Sequence, residues 1–195
     1  TIIQGYAETI QDDVDGVTEK TEMITNTSQK LIETVDKERE IVELLSERPE
    51  REEFDIVDVC QRIVTDIRED YPDAVIEADY PEVATVTAIR NIKRGIEELI
   101  ENALIHNDQE SPEVSLIVES CDETVRIEIT DNGPGIPEQE VNVLTREYEV
   151  DPLYHGSGLG LWLVNWIVKL SEGMLTFEEN DPRGSIITIE LNQST

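Results

Sequence analysis

Val125, Ile127 and Ile129 alternate with Arg126, Glu128 and Thr130, the period-two pattern of a half-buried strand. Further strands are predicted at Val114 to Glu119, near Phe54 to Val57, and in a last hairpin of Met174 to Glu178 and Ser185 to Leu191. Extended pieces are predicted at Val75 to Ala78 and Ala84 to Val86. The period changes to 3.6 between about Ala88 and Asn107, where Ile92, Ile96, Leu99, Ile100, Ala103 and Leu104 share one helical face. A second helix is predicted from Asp58 to Glu69, and a third from Leu159 to Leu170, apolar on almost every side and therefore buried. Helices and antiparallel hairpins mixed in this way predict an α+β fold, a two-layer α/β sandwich.

The first 47 residues read differently. Ile24, Thr27, Leu31, Val35, Val42 and Leu45 fall close to heptad spacing, and Ile2, Ile3, Tyr6 and Ile10 lie on one side of a shorter helix that turns at Asp12 to Val17. The expectation is an α-helical hairpin whose apolar stripes are completed by a second copy, giving a dimeric four-helix bundle. Arg48 to Glu53 is charged, carries Pro49 and breaks the helical period. The expected organisation is therefore a hairpin at 1–47, a linker at 48–53 and the sandwich domain at 54–195.

Charge limits the partners. The 195 residues hold 45 acidic and 15 basic side chains, a net charge of -30, so nucleic acid and anionic membranes are repelled. Only five of the basic residues are lysine, and acid is spread along the whole chain, which suits concentrated salt, where screening acts within about 3 Å at 1 M. A halophilic cytoplasm is the expectation. Cys60 and Cys121 lack C-x-x-C spacing and have two histidines for company, so free thiols are expected and a zinc site is not. No eighteen-residue apolar run is present, and no direct membrane contact by this segment is expected.

Two glycine clusters carry the candidate chemistry, DNGPG (Asp131 to Gly135) and GSGLGL (Gly156 to Leu161). Asp131 shares parity with Val125, Ile127 and Ile129, so it is predicted to face the core side, where a carboxylate without a donor costs roughly several kcal/mol. A ligand N–H would supply that donor. The second cluster opens the apolar helix, and side-chain-free residues at a helix start expose N–H groups suited to phosphate. The twenty residues between, Ile136 to His155, have no sustained apolar period and are predicted to form a lid. Glu98, Asn102 and His106, spaced i, i+4, i+8, form a polar stripe bordering the helical core face. The Asn102 amide oxygen suits Mg²⁺, Glu98 suits orienting or deprotonating a nucleophile, and His106 suits either packing or a place near phosphate.

ELIENALIHN (Glu98 to Asn107), DNGPGIP (Asp131 to Pro137) and GSGLGLWLV (Gly156 to Val164) resemble the N, G1 and G2 boxes of the gyrase, chaperone and histidine-kinase ATPase superfamily. TIIQGYAE (Thr1 to Glu8) resembles the stretch after the phosphoacceptor histidine of sensor histidine kinases in two-component systems. The resemblance implies an ATP-dependent histidine autokinase with ATP and Mg as cofactors, working as a homodimer and passing phosphate to a response-regulator receiver domain. It implies a histidine upstream of Thr1, a cytoplasmic location with a parent chain that upstream domains attach to a membrane, and, with the charge, a halophilic archaeal source. Asn102 would hold Mg²⁺ and Asp131 would accept from the adenine amino group. Gly133, Gly135 and Ile136 would border the base, while His106, Gly156, Ser157, Gly158, Leu159, Gly160, Leu161 and Ser185 would complete the nucleotide site, with Glu98 as the catalytic group. Two departures stand out: Ile105 occupies a position often basic in these kinases, and the lid offers Tyr148, Leu153 and Tyr154 in place of an aromatic-rich box. These motivate the alternative of a nucleotide-binding signalling scaffold without kinase activity. A third reading, a dinucleotide enzyme using Gly156, Gly158, Gly160 and Glu178, fails on its G-x-G-x-G spacing and leaves DNGPG unexplained.

Overall fold

The structure is a computed structural model, and it describes residues 17–47, 49–138, 141 and 159–194. Its elements in chain order are α1 (Val17–Glu47), β1 (Glu52–Asp55), α2 (Ile56–Asp70), β2 (Val75–Asp79), β3 (Thr85–Ala88), α3 (Ile92–Ile105), β4 (Glu113–Cys121), β5 (Thr124–Asp131), α4 (Leu159–Leu170), β6 (Met174–Glu179) and β7 (Ser185–Asn192). Two compact units divide between Glu43 and Leu44. In the first, α1 leaves Leu31 56% and Val35 52% exposed. The expected first helix and turn of the hairpin, residues 1 to 16, lie outside the described residues.

In the second unit, five strands form one mixed sheet in the order β2-β4-β5-β7-β6, and β1 pairs antiparallel with β3 beside it. Only β2 and β4 run parallel among the sheet neighbours. That arrangement supplies no parallel β-α-β unit around β6 and β7, as a dinucleotide enzyme would need. The pleat places alternate residues on one face, and the register aligns Leu116, Ile129, Ile187 and Phe177 in one row and Val118, Ile127, Ile189 and Leu175 in the next. The members of these rows on β4, β5 and β7 are buried, as are Ile63 and Val64 of α2, Ile96 and Leu99 of α3 and Leu163 and Ile167 of α4. Each such side chain contributes about 1.5–3 kcal/mol by leaving water. The result is one layer of helices on one sheet.

Four expected boundaries are corrected. The first strand ends at Asp55, because the Asp55 carboxylate accepts the Val57 N–H at 3.0 Å and so caps a helix that takes in Val57. The same carboxylate accepts the Ala84 N–H at 3.0 Å, joining the α2 start to the approach of β3. Ala88 belongs to β3, paired with Glu52, so α3 begins at Ile92, and β1 begins inside the stretch expected to be a linker. Asn107 lies past the end of α3, where its side chain donates to Asn132 Oδ1 at 2.8 Å instead of continuing the helix.

Candidate functional site

The helical stripe and the DNGPG turn meet in a cavity of about 450 Å³, enough for a nucleotide-sized ligand. The last two turns of α3 supply Leu99, Asn102 and Ala103, and His106 caps its end; the end of β5 supplies Asp131; Pro134, Gly135, Ile136 and Pro137 follow it. Leu161 of α4 and Ser185 and Ile187 of β7 close the remaining wall. Apolar surfaces thus dominate, with polar groups at a few defined points. Among the described lining residues none is Lys or Arg.

Asp131 is next to the Ile129 row, on the helix-covered face that its parity predicts, and it is half-buried. Its carboxylate is already partnered, contrary to the expectation of a missing donor. Oδ1 accepts the Gly133 N–H at 2.7 Å and Oδ2 accepts the Ser185 N–H at 3.2 Å. Burial pushes the Asp131 carboxyl above the ordinary aspartate value, and the N–H donors of Gly133 and Ser185 oppose that rise without cancelling it. A carboxylate has about four acceptor positions, so a further donor from a ligand can still be taken.

Gly133 is buried beneath Asp131 and not on the cavity wall. A Cβ there would come within 2.9 Å of Asp131 Oδ1, so glycine lets the carboxylate fold back on its own turn. Gly135 lies on the wall with φ of 83°, a left-handed conformation. Gly184 was missed by sequence reasoning. It has φ of 112°, and a Cβ would strike the Asp131 main-chain carbonyl and lie 3.1 Å from its Oδ1. Asn180 adds to the same clamp, donating Nδ2 to the Asp131 carbonyl at 2.9 Å. The Asn-x-x-x-Gly turn before Ser185 is the one local signal that could have pointed to it.

On α3, Asn102 and His106 line the cavity but Glu98 does not. The Glu98 side chain is 1% exposed, paired with Arg94 Nη2 at 2.6 Å and accepting Asn102 Nδ2 at 3.3 Å. The structure thus places the expected catalytic Glu98 off the cavity wall, enclosed beside Asn102. Since an ionised carboxylate only accepts, the amide must turn its NH₂ to Glu98, leaving Oδ1 for another partner. That oxygen is a fitting ligand for Mg²⁺, which takes one or two protein oxygens and otherwise water and phosphate. Among the described residues no group of three or more His, Cys, Asp or Glu could hold a metal by itself. Leu159 begins α4 half-buried, and Gly160 packs against the Glu98 and Asn102 side chains, with no room for a Cβ. Gly156, Ser157, Gly158 and the lid residues Tyr148, Leu153 and Tyr154 lie outside the described residues. Ile105 is 60% exposed.

Residues 87–195 match the family described as histidine kinase-, DNA gyrase B-, and HSP90-like ATPase. Sensor protein CiaH of Streptococcus pneumoniae is 30% identical over 98 residues, 48% of this chain and 22% of CiaH. The anti-sigma F factor of Clostridium botulinum is 32% identical over 99 residues, 50% of this chain and 66% of that protein. Among solved structures, the mycobacterial sensor histidine kinase MprB matches with TM-score 0.61 and 28% identity, covering 73% of this chain and 97% of that one. The match spans less than a quarter of the first of these relatives. The relatives support a kinase ATP-binding domain of α+β fold, and no described helix is long and apolar enough to cross a membrane.

Proposed function

Because the chain belongs to the histidine kinase-, DNA gyrase B- and HSP90-like ATPase family, we propose that it is the ATP-dependent autokinase core of a two-component system. The observation that carries this reading is the meeting of Asn102 and Asp131 on the wall of one largely apolar cavity. Asp131 would accept from the adenine amino group, with Leu99, Ala103, Ile136, Leu161 and Ile187 enclosing the base. Asn102 Oδ1 would hold Mg²⁺ on the phosphates. Bound magnesium supplies neutralisation of phosphate charge. His106 and the loop at Gly156, Ser157 and Gly158 would border the triphosphate, and Ser185 fixes Asp131 from β7.

A histidine upstream of Thr1 would attack the γ-phosphorus, breaking the bond to the β-phosphate oxygen and releasing ADP. The phosphoryl group would then pass to the aspartate of a response-regulator receiver domain. The exposed Leu31 and Val35 of α1 support a homodimeric helical bundle as the platform. The net charge of -30 supports work in concentrated salt, as in a halophilic archaeon, and an absence of nucleic-acid partners.

A second reading, a nucleotide-binding signalling scaffold, is favoured by Ile105 and by the lack of Lys or Arg among the described lining residues. Calorimetric titration of Mg·ADP in molar KCl separates the possibilities. Binding by wild type that Asp131→Asn abolishes and Asn102→Ala weakens is the expected result, and a folded wild type that binds nothing would remove the nucleotide site. An upstream-extended chain incubated with γ-labelled ATP should become acid-labile phosphoprotein; ADP binding without labelling would leave the scaffold.

A further inference from the structure

We infer that Arg94 is a positioning residue for the metal ligand, acting through Glu98 on the Asn102 amide; this rests on the reading of Asn102 as the Mg²⁺ ligand. Arg94, Glu98 and Asn102 are spaced i, i+4, i+8 on α3, so their side chains follow one line along the helix. Arg94 Nη2 meets Glu98 Oε2 at 2.6 Å, Nη1 meets Glu101 at 3.2 Å, and Glu98 Oε1 accepts from Asn102 Nδ2 at 3.3 Å. Of these side chains Glu98 is 1% exposed and Arg94 30%, so the guanidinium bridges from the surface to a fully enclosed carboxylate.

The arrangement makes a choice that Asn102 cannot make alone. An amide can present oxygen or nitrogen to the cavity, and the two orientations have almost the same shape. A carboxylate paired with Arg94 accepts from the NH₂ side and repels the amide oxygen, so the oxygen is turned to the ligand. Gly160 allows the first turn of α4 to close on the Glu98 and Asn102 side chains. Groups that orient a metal ligand in this way typically contribute about 10–100-fold to metal affinity.

The test is titration of ADP with excess Mg²⁺ and again with EDTA, for wild type, Arg94→Gln, Arg94→Lys and the double variant Arg94→Gln/Glu98→Gln. Arg94→Gln should keep the EDTA affinity and lose about tenfold or more of the gain that Mg²⁺ gives. Arg94→Lys, which keeps a cation within reach of Glu98, should retain most of that gain. The double variant carries no buried charge, so it tests the idea even where Arg94→Gln does not fold; its neutral amide no longer selects the Asn102 orientation, and the gain should again be lost. A folded Arg94→Gln or double variant with the wild-type gain overturns the inference alone. Wild type binding ADP equally with and without Mg²⁺ overturns the metal reading of Asn102 before any substitution is compared, and the inference with it.

Discussion

Ser185 donates its backbone N–H to the Asp131 carboxylate at 3.2 Å, so the first residue of β7 holds the last residue of β5 across 54 positions of sequence. The approach depends on Gly184, whose φ of 112° and missing Cβ admit the Asp131 carbonyl. Gly184→Ala should therefore cost stability by about 1–3 kcal/mol from backbone strain alone, and weaken adenosine binding as Asp131 shifts. Urea denaturation and calorimetry on the same preparation measure both. Unchanged midpoint and affinity would show that the clamp is dispensable.

Acidification should weaken adenosine binding earlier than an ordinary aspartate would. Burial raises the Asp131 carboxyl above the ordinary aspartate value, so protonation of the proposed adenine acceptor starts at higher pH. The effect on stability runs the other way: a raised carboxyl favours the protonated fold, so its stabilising contribution is present below the ordinary aspartate value and is lost as pH rises through the folded value. Adenosine affinity measured from pH 7 downward, against Asp131→Asn, checks this. A wild-type profile that is flat until the ordinary aspartate range would contradict it.

Val35→Glu on α1 should convert the proposed dimer to a monomer. Val35 is 52% exposed on the single chain, and a charge facing its symmetry mate in an apolar seam is strongly unfavourable. Sedimentation equilibrium in molar KCl reads the mass directly. A wild type that is monomeric at the highest concentration studied would dispose of the bundle.

Salt should raise the thermal midpoint. With 45 acidic and 15 basic residues, self-repulsion is screened as the Debye length shrinks from about 10 Å at 0.1 M to about 3 Å at 1 M. A gain of even 1 kcal/mol corresponds to roughly 2–4 °C in a chain of this size. Melting curves across a KCl series test the direction, and a midpoint that falls with KCl would count against an adaptation to salt.

Thiol reagents should find one cysteine in the native chain and two after unfolding. Cys121 is exposed, whereas Cys60 is buried in α2 with its thiol pushed up to about 12, chiefly by burial. Timed Ellman titration with and without denaturant gives the two counts.

Periodicity made most of the elements legible, because it is written into neighbouring residues. The alternation at Val125, Ile127 and Ile129 predicted both β5 and the side on which Asp131 stands, and the 3.6 spacing from Ile92 to Leu104 predicted the core face of α3. Boundaries were less legible where one side chain decides them. Asp55 ends β1 by capping α2, a signal present in the sequence but outweighed there by the apolar Phe54, Ile56 and Val57.

The sequence by itself determined which residues could carry chemistry: an acidic residue at a strand end, glycines around a turn, and a polar stripe along one helix. Only the tertiary structure decided where each of them stands. Glu98 moved from the cavity to a buried pair because α4 packs over it through Gly160, and Gly133 moved behind Asp131 because the carboxylate folds back on its turn. Gly184 and Asn180 entered the site because the β6–β7 turn reaches Asp131. The physical reason is range. A helix or strand repeats within a few residues, whereas the contacts of Asn180 and Ser185 with Asp131 join segments about fifty residues apart, and the periodicity of neither segment encodes the meeting.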